Sequence, residues 1–594
     1  MVHDLVIRNG TIVDGTGAAR FVGDIAIDGG HITAVGQVGP EAAKSIDARG
    51  KIVTPGFVDV HTHYDGQATW DTTLAPSAWH GVTTVVFGNC GVGFAPVAPD
   101  RHDQLIKIME GVEDIPGTAL HEGLTWDWQS FPEYLDKLAS QNYVMDIGTQ
   151  VPHNSVRAHV MGDRGSNEPA TPEDVKKMAA IVREGISAGA LGFSTSRTSH
   201  RDSEGRPVPS RYALEDELLE IGRVLGDLGT GLFEVGSAQP VPDDRNLPMK
   251  EAVWLKKFAK ETGRPITFTL TQQFGNSTHW KEILKIARQA AEEGAFMRPQ
   301  SLGRPVGALM GLSGRHPFEE TAIWKSELAD LSLAEKVERM SDPEVRQRMI
   351  EEALAMPIPV GGLISFGNMG HAFPLGGAGD APDYEPDPET SIRAIAKREG
   401  RSETEVFYDL LLQRDGKQLV LKTISNYVEG NLDVVREMMT DEFCGVGLSD
   451  AGAHVRAICD ASLPTFMLTH WARDRRRGAQ LPLEFVVKKQ TYDTSELFGL
   501  HDRGVLKPGF RADLNIIDFD NLKLDMPEII QDLPAGGSRY MQKAKGFDYT
   551  ISGGEVTIDH GTLTGARPGR LLRGEQHLTY LYRQAARAAK PIEV

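Results

Sequence analysis

The sequence predicts an α/β fold: a (β/α)8 TIM barrel, a small β-sandwich built from both chain termini, and an α-helical insertion near the face that carries the chemistry. Three observations predict it. From about residue 56, eight short apolar runs alternate with helical stretches. Two β-rich segments of similar texture open and close the chain. A long helical stretch separates the seventh apolar run from the eighth.

Residues 4–14 alternate as a strand does, with Leu5, Ile7 and Ile12 apolar and a turn at Asn9-Gly10. Asp24 to Val35 repeat the pattern around Gly29-Gly30. The candidate barrel strands are Phe57–His61, Thr83–Phe87, Val144–Thr149, Ala190–Thr195, Gly231–Val235, Ile266–Leu270, Ala295–Pro299 and Cys444–Leu448. Between them, Pro172–Ala188, Ala213–Leu228 and Trp280–Glu293 carry apolar residues at helical spacing. Residues 314–356 read as helices rich in Glu, Lys and Arg, and 370–388 as a loop rich in Gly, Pro and Asp. An insertion over about 303–390, above the C-terminal face of the barrel, is a candidate lid. After about residue 500, 502–518 reads as a turn and a strand, and 549–565 as a Gly-Gly hairpin. The expected organisation is a β-sandwich from 1–55 and 496–574, a barrel over 56–495, and a helical tail at 575–594. That tail could pack on a neighbouring subunit, which leaves a homo-oligomer open.

Among 594 residues, 40% are hydrophobic and 24% charged, an ordinary globular mixture. The formal net charge of -19 argues against a nucleic-acid partner, which needs a basic face. No stretch approaches the roughly 20 apolar residues of a membrane span. The N-terminus shows no basic run followed by an apolar one, so the expected location is cytoplasmic. The three cysteines, Cys90, Cys444 and Cys459, are too few for a disulfide framework.

Chemistry concentrates in a few motifs. In VDVHTHYD, His61 and His63 stand two apart, so a strand turns both imidazoles to one face. Two neutral nitrogen donors on one face suit a divalent metal such as Zn²⁺. The plainer alternative, two polar residues on an exposed edge, fits poorly with the apolar Phe57, Val58 and Val60 before them. In GNCGVGFAPV, Cys90 follows the second strand and reads equally as a thiolate ligand or a small buried residue. In GVGLSDAGAH, Asp450 lies just past the eighth strand, where it could bind the metal and act as base, or cap a helix. His454 and Arg456 follow it as candidate substrate contacts. His153 and Arg157, in VPHNSVR, could polarise a carbonyl and bind substrate, or serve structural hydrogen bonds. Glu234 is a carboxylate inside an apolar strand, which invites a metal or an arginine. Arg298 and Arg304 lie near strand ends and could hold an anionic group of a substrate. His279, His316 and His371 read as ordinary surface residues.

Together, HTHYD, GNCGVGFAPV, GALGFSTS, SDAGAH, GLHDRGVLKPGFRADLNIID and TGARPGRLLRG resemble the D-aminoacylase (N-acyl-D-amino-acid deacylase) branch of the amidohydrolase superfamily, as a divergent member. The resemblance implies the barrel and sandwich read above, and zinc-assisted hydrolysis of a C–N bond. It implies that His61, His63 and Cys90 are metal ligands, that Asp450 is the catalytic acid and base, and that His153 and Arg157 match an element after the third strand. The chain departs from the family pattern at strands five and six. Gly236 and Leu270 stand where that pattern has histidines, and Gln272 where it has a lysine. The ligands that remain suit one metal ion per chain: His61, His63 and Asp450, with Cys90 or Glu234. The expected activity is hydrolysis of an amide in a small-molecule substrate by metal-activated water. The alternatives are a cyclic amide, carbamate or lactone hydrolase, decarboxylation on the same metal, and a non-catalytic ligand-binding relative.

Overall fold

A computed structural model describes residues 2–241, 243–357, 364–376 and 381–573. The helical tail expected at 575–594 and parts of the insertion lie outside the described residues.

Eight parallel strands occur where the apolar runs place them. Strands β1 (Phe57–Asp59), β2 (Val82–Phe87) and β3 (Asp146–Thr149) form one parallel sheet in that order. Strands β4 (Gly192–Ser196), β5 (Leu232–Gly236), β6 (Ile266–Thr269), β7 (Met297–Ser301) and β8 (Gly445–Val446) form a second parallel sheet, completed by Val151–Pro152 beside β4. The sheets meet at both ends. Leu191 N donates to Thr149 O at 2.8 Å, and Thr62 pairs with Ala451 in a parallel bridge. Every residue of β2, β4 and β5 is buried, including the polar Thr83, Thr84, Ser194, Thr195, Ser196 and Glu234. Helices cover the strands. They include α1 (His102–Glu113), α2 (His153–Met161), α3 (Pro172–Ser187), α4 (Glu215–Leu228) and α5 (His279–Glu292). A capping box between Thr171 and Asp174, with Pro172 at the first turn, starts α3.

The two ends of the chain build a single nine-stranded sheet. Leu514–Ile517 pairs antiparallel with Ile52–Pro55, so the C-terminal segment zips onto the N-terminal one. Ile7, Ile25, Val53, Leu514 and Ile551 form its apolar layer. The Gly553-Gly554 turn, with φ of 53° and 81°, joins Phe547–Ser552 to Glu555–Asp559.

Buried charge ties this sheet to the parallel strands. Asp146, fully buried at the start of β3, meets Arg503 Nη1 at 2.8 Å and Arg511 Nε at 3.1 Å. Burial opposes the charge on Arg503, but Asp146 and Asp513 outweigh it and raise its pKa.

Within and beyond the region read as an insertion over 303–390, three strands pair antiparallel. Val306–Met310 pairs antiparallel with Val420–Ser425, which also pairs with Ala372–Pro374. The unit therefore runs on to Ser425. It has its own apolar core, including Phe318, Trp324, Met349, Phe407 and Leu411. His316 belongs to this unit and is not a surface residue. It is 1% exposed, packs edge-on against Trp324 at 4.3 Å, and burial pulls its pKa down to about 3. No helix among the described residues is long and apolar enough to cross a membrane.

Removing one side of the Asp146 cluster strands the other side in a dry interior. Arg503→Met is expected to cost about 3 to 5 kcal/mol of stability, read from the shift in urea midpoint at unchanged slope. A midpoint equal to that of the parent chain would contradict this role.

Candidate metal centre

The centre forms where β1 and β8 end. β1 ends at Asp59, the chain bends at His61, and Thr62 makes an isolated parallel bridge to Ala451. Thr62 turns its hydroxyl to Val86 O at 2.9 Å, and His61 and His63 point the other way. Their ring centroids lie 5.5 Å apart, and the two residues are 1% and 2% exposed. On the facing segment, Asp450 N donates to His61 O at 3.1 Å, and Ala451 O accepts from His63 N at 2.7 Å. These two bonds hold Asp450 against the imidazoles. Its Oδ1 lies 3.4 Å from His61 Nε2 and 3.6 Å from His63 Nε2.

Cys90 arrives from the turn after β2. It adopts a left-handed φ of 53°, as Asp450 does at 46°. Such backbone costs an ordinary residue about 1–2 kcal/mol and persists where the surroundings demand it. The Cys90 amide donates to Glu234 Oε2 at 2.7 Å, and its Sγ lies 3.4 Å from His61 Nε2. Donor atoms of His61, His63 and Cys90 all fall within 4.8 Å of one another. A carboxylate stands behind each imidazole: Glu234 Oε1 lies 3.9 Å from His61 Nδ1, and Glu113 Oε1 lies 3.5 Å from His63 Nδ1.

The electrostatics follow from burial. Loss of water pulls His61 down to about 4, pushes Glu234 up to about 8 and raises the Cys90 thiol well above its ordinary value. Burial also opposes charge on His63, but Glu113 and Asp450 outweigh it and lift that group to about 9. Asp450 resists its own burial, because His63 and His61 hold its carboxyl below the usual range. Nδ1 of both imidazoles, Glu234 Oε1 and Glu113 Oε2 are buried without a hydrogen-bond partner. Unpaired polar atoms at this depth are costly, and a cation among them would offset that cost. Two imidazoles and a thiol, with a carboxylate alongside, fit a zinc-like ion. Asp450 and His454 each keep 21% side-chain exposure, so the centre opens to solvent on their side.

The structure brings together His61, His63, Cys90 and Asp450, with His454 and Arg456 at the rim. His454 Nε2 reaches Glu113 Oε2 at 3.5 Å, and Arg456 pairs with Asp114 at 3.0 Å while 36% exposed. It gives other expected residues different partners. Both ring nitrogens of His153 are engaged, by Thr195 Oγ1 at 2.8 Å and Glu217 Oε1 at 3.1 Å, so neither remains to polarise a carbonyl. Arg157, fully buried, donates to Glu217 and to the carbonyls of Gly165 and Glu168 instead of to a substrate. Arg304 is buried on Asp460 and stacked over Tyr384 at 4.1 Å. Arg298 is 7% exposed and donates to Glu442 O at 3.2 Å. Glu234 backs Cys90 and His61 and stands outside the close donor group.

Glu113 escaped the sequence reading. Its signal was a carboxylate four residues after Met109, on the buried stripe of α1.

Gly236 has a packing reason. A β-carbon there would lie 3.2 Å from Cys90 Sγ and 3.2 Å from Ser196 Oγ. Any side chain there would require Cys90 Sγ and Ser196 Oγ to give way by a few tenths of an ångström. Leu270 is buried at 1%. Gln272 accepts from Val428 N at 3.2 Å and donates to Glu429, so the position expected to hold a lysine pins a loop.

The amidohydrolase family pattern matches residues 44–558 of the chain. D-aminoacylase of Alcaligenes xylosoxydans xylosoxydans is 31% identical over 227 residues, 38% of this chain and 43% of that one. An uncharacterized protein of Mycobacterium tuberculosis is 26% identical over 557 residues, 87% of this chain and 85% of that one. The solved structure of N-acyl-D-glutamate deacylase from Bordetella bronchiseptica, complexed with zinc and a phosphonate inhibitor, superposes with a TM-score of 0.65. It is 22% identical, over 97% of this chain and all of that one, a likeness of fold.

Contact at 3.2 Å on two sides leaves a methyl little room at residue 236. Gly236→Ala is expected to cost about 1–3 kcal/mol in thermal unfolding and to displace the Cys90 side chain. Unchanged unfolding with unchanged reactivity of Cys90 toward a thiol reagent would refute the packing reason.

Proposed function

This chain belongs to the amidohydrolase family and is a hydrolase of carbon–nitrogen bonds other than peptide bonds; on that premise, we propose that it hydrolyses the amide of an N-acyl amino acid, in the manner of the D-aminoacylase branch. The observation that carries the reading is the convergence of His61, His63 and Cys90 donors within 4.8 Å, with Asp450 Oδ1 at 3.4 and 3.6 Å from the two imidazoles. His61, His63 and Cys90 would hold one divalent ion, Zn²⁺ by the nature of the donors, with Asp450 beside it. Such an ion, when bound, lowers the pKa of water from 15.7 toward about 7.

The chain's own groups supply the proton handling. Asp450 is held ionised by two imidazoles and is partly open to solvent, so its Oδ atoms can take a proton from an attacking water. The same carboxyl then returns that proton to the leaving nitrogen. The buried face formed by Glu234 and β5 excludes bulk water from the opposite side. His454 and Arg456 at the rim are placed to meet the substrate's polar end, with Arg456 suited to a carboxylate. A small-molecule substrate fits a centre that opens to solvent at this edge.

The fold reading extends in the same way. The two parallel sheets, joined at β3/β4 and at Thr62–Ala451, are read as one (β/α)8 barrel over 56–495. The nine-stranded sheet is read as the β-sandwich of 1–55 and 496–574. The insertion then sits over the active-site face.

Purified protein tested on N-acyl-D- and N-acyl-L-amino acids beside cyclic imides and lactones separates the substrate classes. Asp450→Asn is expected to keep the bound metal and lower kcat by about 10²–10⁴-fold. His61→Ala is expected to lose metal by elemental analysis and turnover with it. Full activity in both variants would overturn the mechanism, and preference for a cyclic substrate would overturn the substrate class.

A further inference from the structure

Glu113 ends α1 on that helix's buried stripe, after Leu105, Met109 and Val112. It is 1% exposed. Its near partners are two imidazoles. Oε1 lies 3.5 Å from His63 Nδ1, and Oε2 lies 3.5 Å from His454 Nε2. Two further observations show a built position. Oε2 has no hydrogen-bond partner although it is buried. The next residue, Asp114, has a left-handed φ of 51° and accepts from Arg315 of the insertion and from Arg456, each at 3.0 Å. The end of α1 is therefore anchored independently of the histidines.

We infer that Glu113 is the positioning residue of the centre. Its Oε1 is placed to accept a hydrogen bond from Nδ1–H of His63, which fixes the tautomer whose Nε2 lone pair is directed to the side of Asp450. The same carboxylate draws His454 toward the rim of the centre. Glu234 stands in the corresponding place behind His61 at 3.9 Å, so each imidazole has a carboxylate at its back from a separate element. The assignment rests on the metal-binding reading above.

The test is zinc affinity by competition with a chromophoric chelator, on protein prepared metal-free, with circular dichroism as the check on folding. Glu113→Gln is expected to weaken zinc binding about 10- to 100-fold, and Glu113→Asp to recover part of the loss. Asp114→Asn, which removes the anchor without touching His63, is expected to stay within about threefold of the parent chain. In a His63→Ala background, Glu113→Gln is expected to add no further loss, because the partner is gone. Parent-like binding by Glu113→Gln overturns the assignment, as does an equal loss in Asp114→Asn. Should Glu113→Gln fail to fold, Glu113→Asp decides: binding weaker by threefold or more supports the role, and parent-like binding ends it. A parent chain that binds no zinc removes the metal reading itself and this inference with it. Zinc binding by the parent with an indifferent Glu113 removes this inference alone.

Discussion

Two imidazoles buried side by side, with Nδ1 of each lacking a hydrogen-bond partner, impose the constraint that the surrounding structure answers. An unpaired polar group in a dry interior costs about 1–3 kcal/mol, and here several share one small volume. The protein does not relieve that cost with arginines or water-exposed loops. It surrounds the pair with the carboxylates of Asp450, Glu113 and Glu234 and the thiol of Cys90. A centre that is under-satisfied as protein and over-supplied with donors is arranged for a cation.

The backbone around the centre reflects the same demand. His61 and His63 follow directly on the first strand, and their partners Asp450 and Cys90 come from turns. Cys90 and Asp450 both adopt left-handed φ, and Gly236 packs closely against Cys90 Sγ and Ser196 Oγ. The bonds from Asp450 N and Ala451 O to the histidine segment join the first and eighth strands at the point where the donors meet. The contact between the segments that follow the first and eighth strands is therefore also what assembles the centre. The insertion reaches the same place through Arg315 and Asp114, one residue from Glu113.

Much of this was legible in the sequence, for identifiable reasons. The parallel strands are largely buried, so most carry short apolar runs that mark their places along the chain. The two-residue period placed His61 and His63 on one face, and position past an apolar run marked Asp450. What failed was side-chain direction. Arg157, Arg298 and Arg304 lie near strand ends in sequence, but each is buried on a carboxylate or a carbonyl. His153 is locked between Thr195 and Glu217 for the same reason. The antiparallel pairing in this region was hidden because Val306–Met310 finds its partner more than a hundred residues later, at Val420–Ser425. Glu113 was hidden because a carboxylate ending a helix usually reads as solvated, and only its contact with His63 gives it meaning.

The central proposal, that His61, His63 and Cys90 hold one ion beside Asp450, is tested most directly by X-ray absorption spectroscopy of the zinc-loaded protein. The account predicts one sulfur scatterer at about 2.3 Å and imidazole nitrogens at about 2.0–2.1 Å, with the sulfur signal lost in Cys90→Ser. A zinc environment of nitrogen and oxygen alone, unchanged by that substitution, would contradict it.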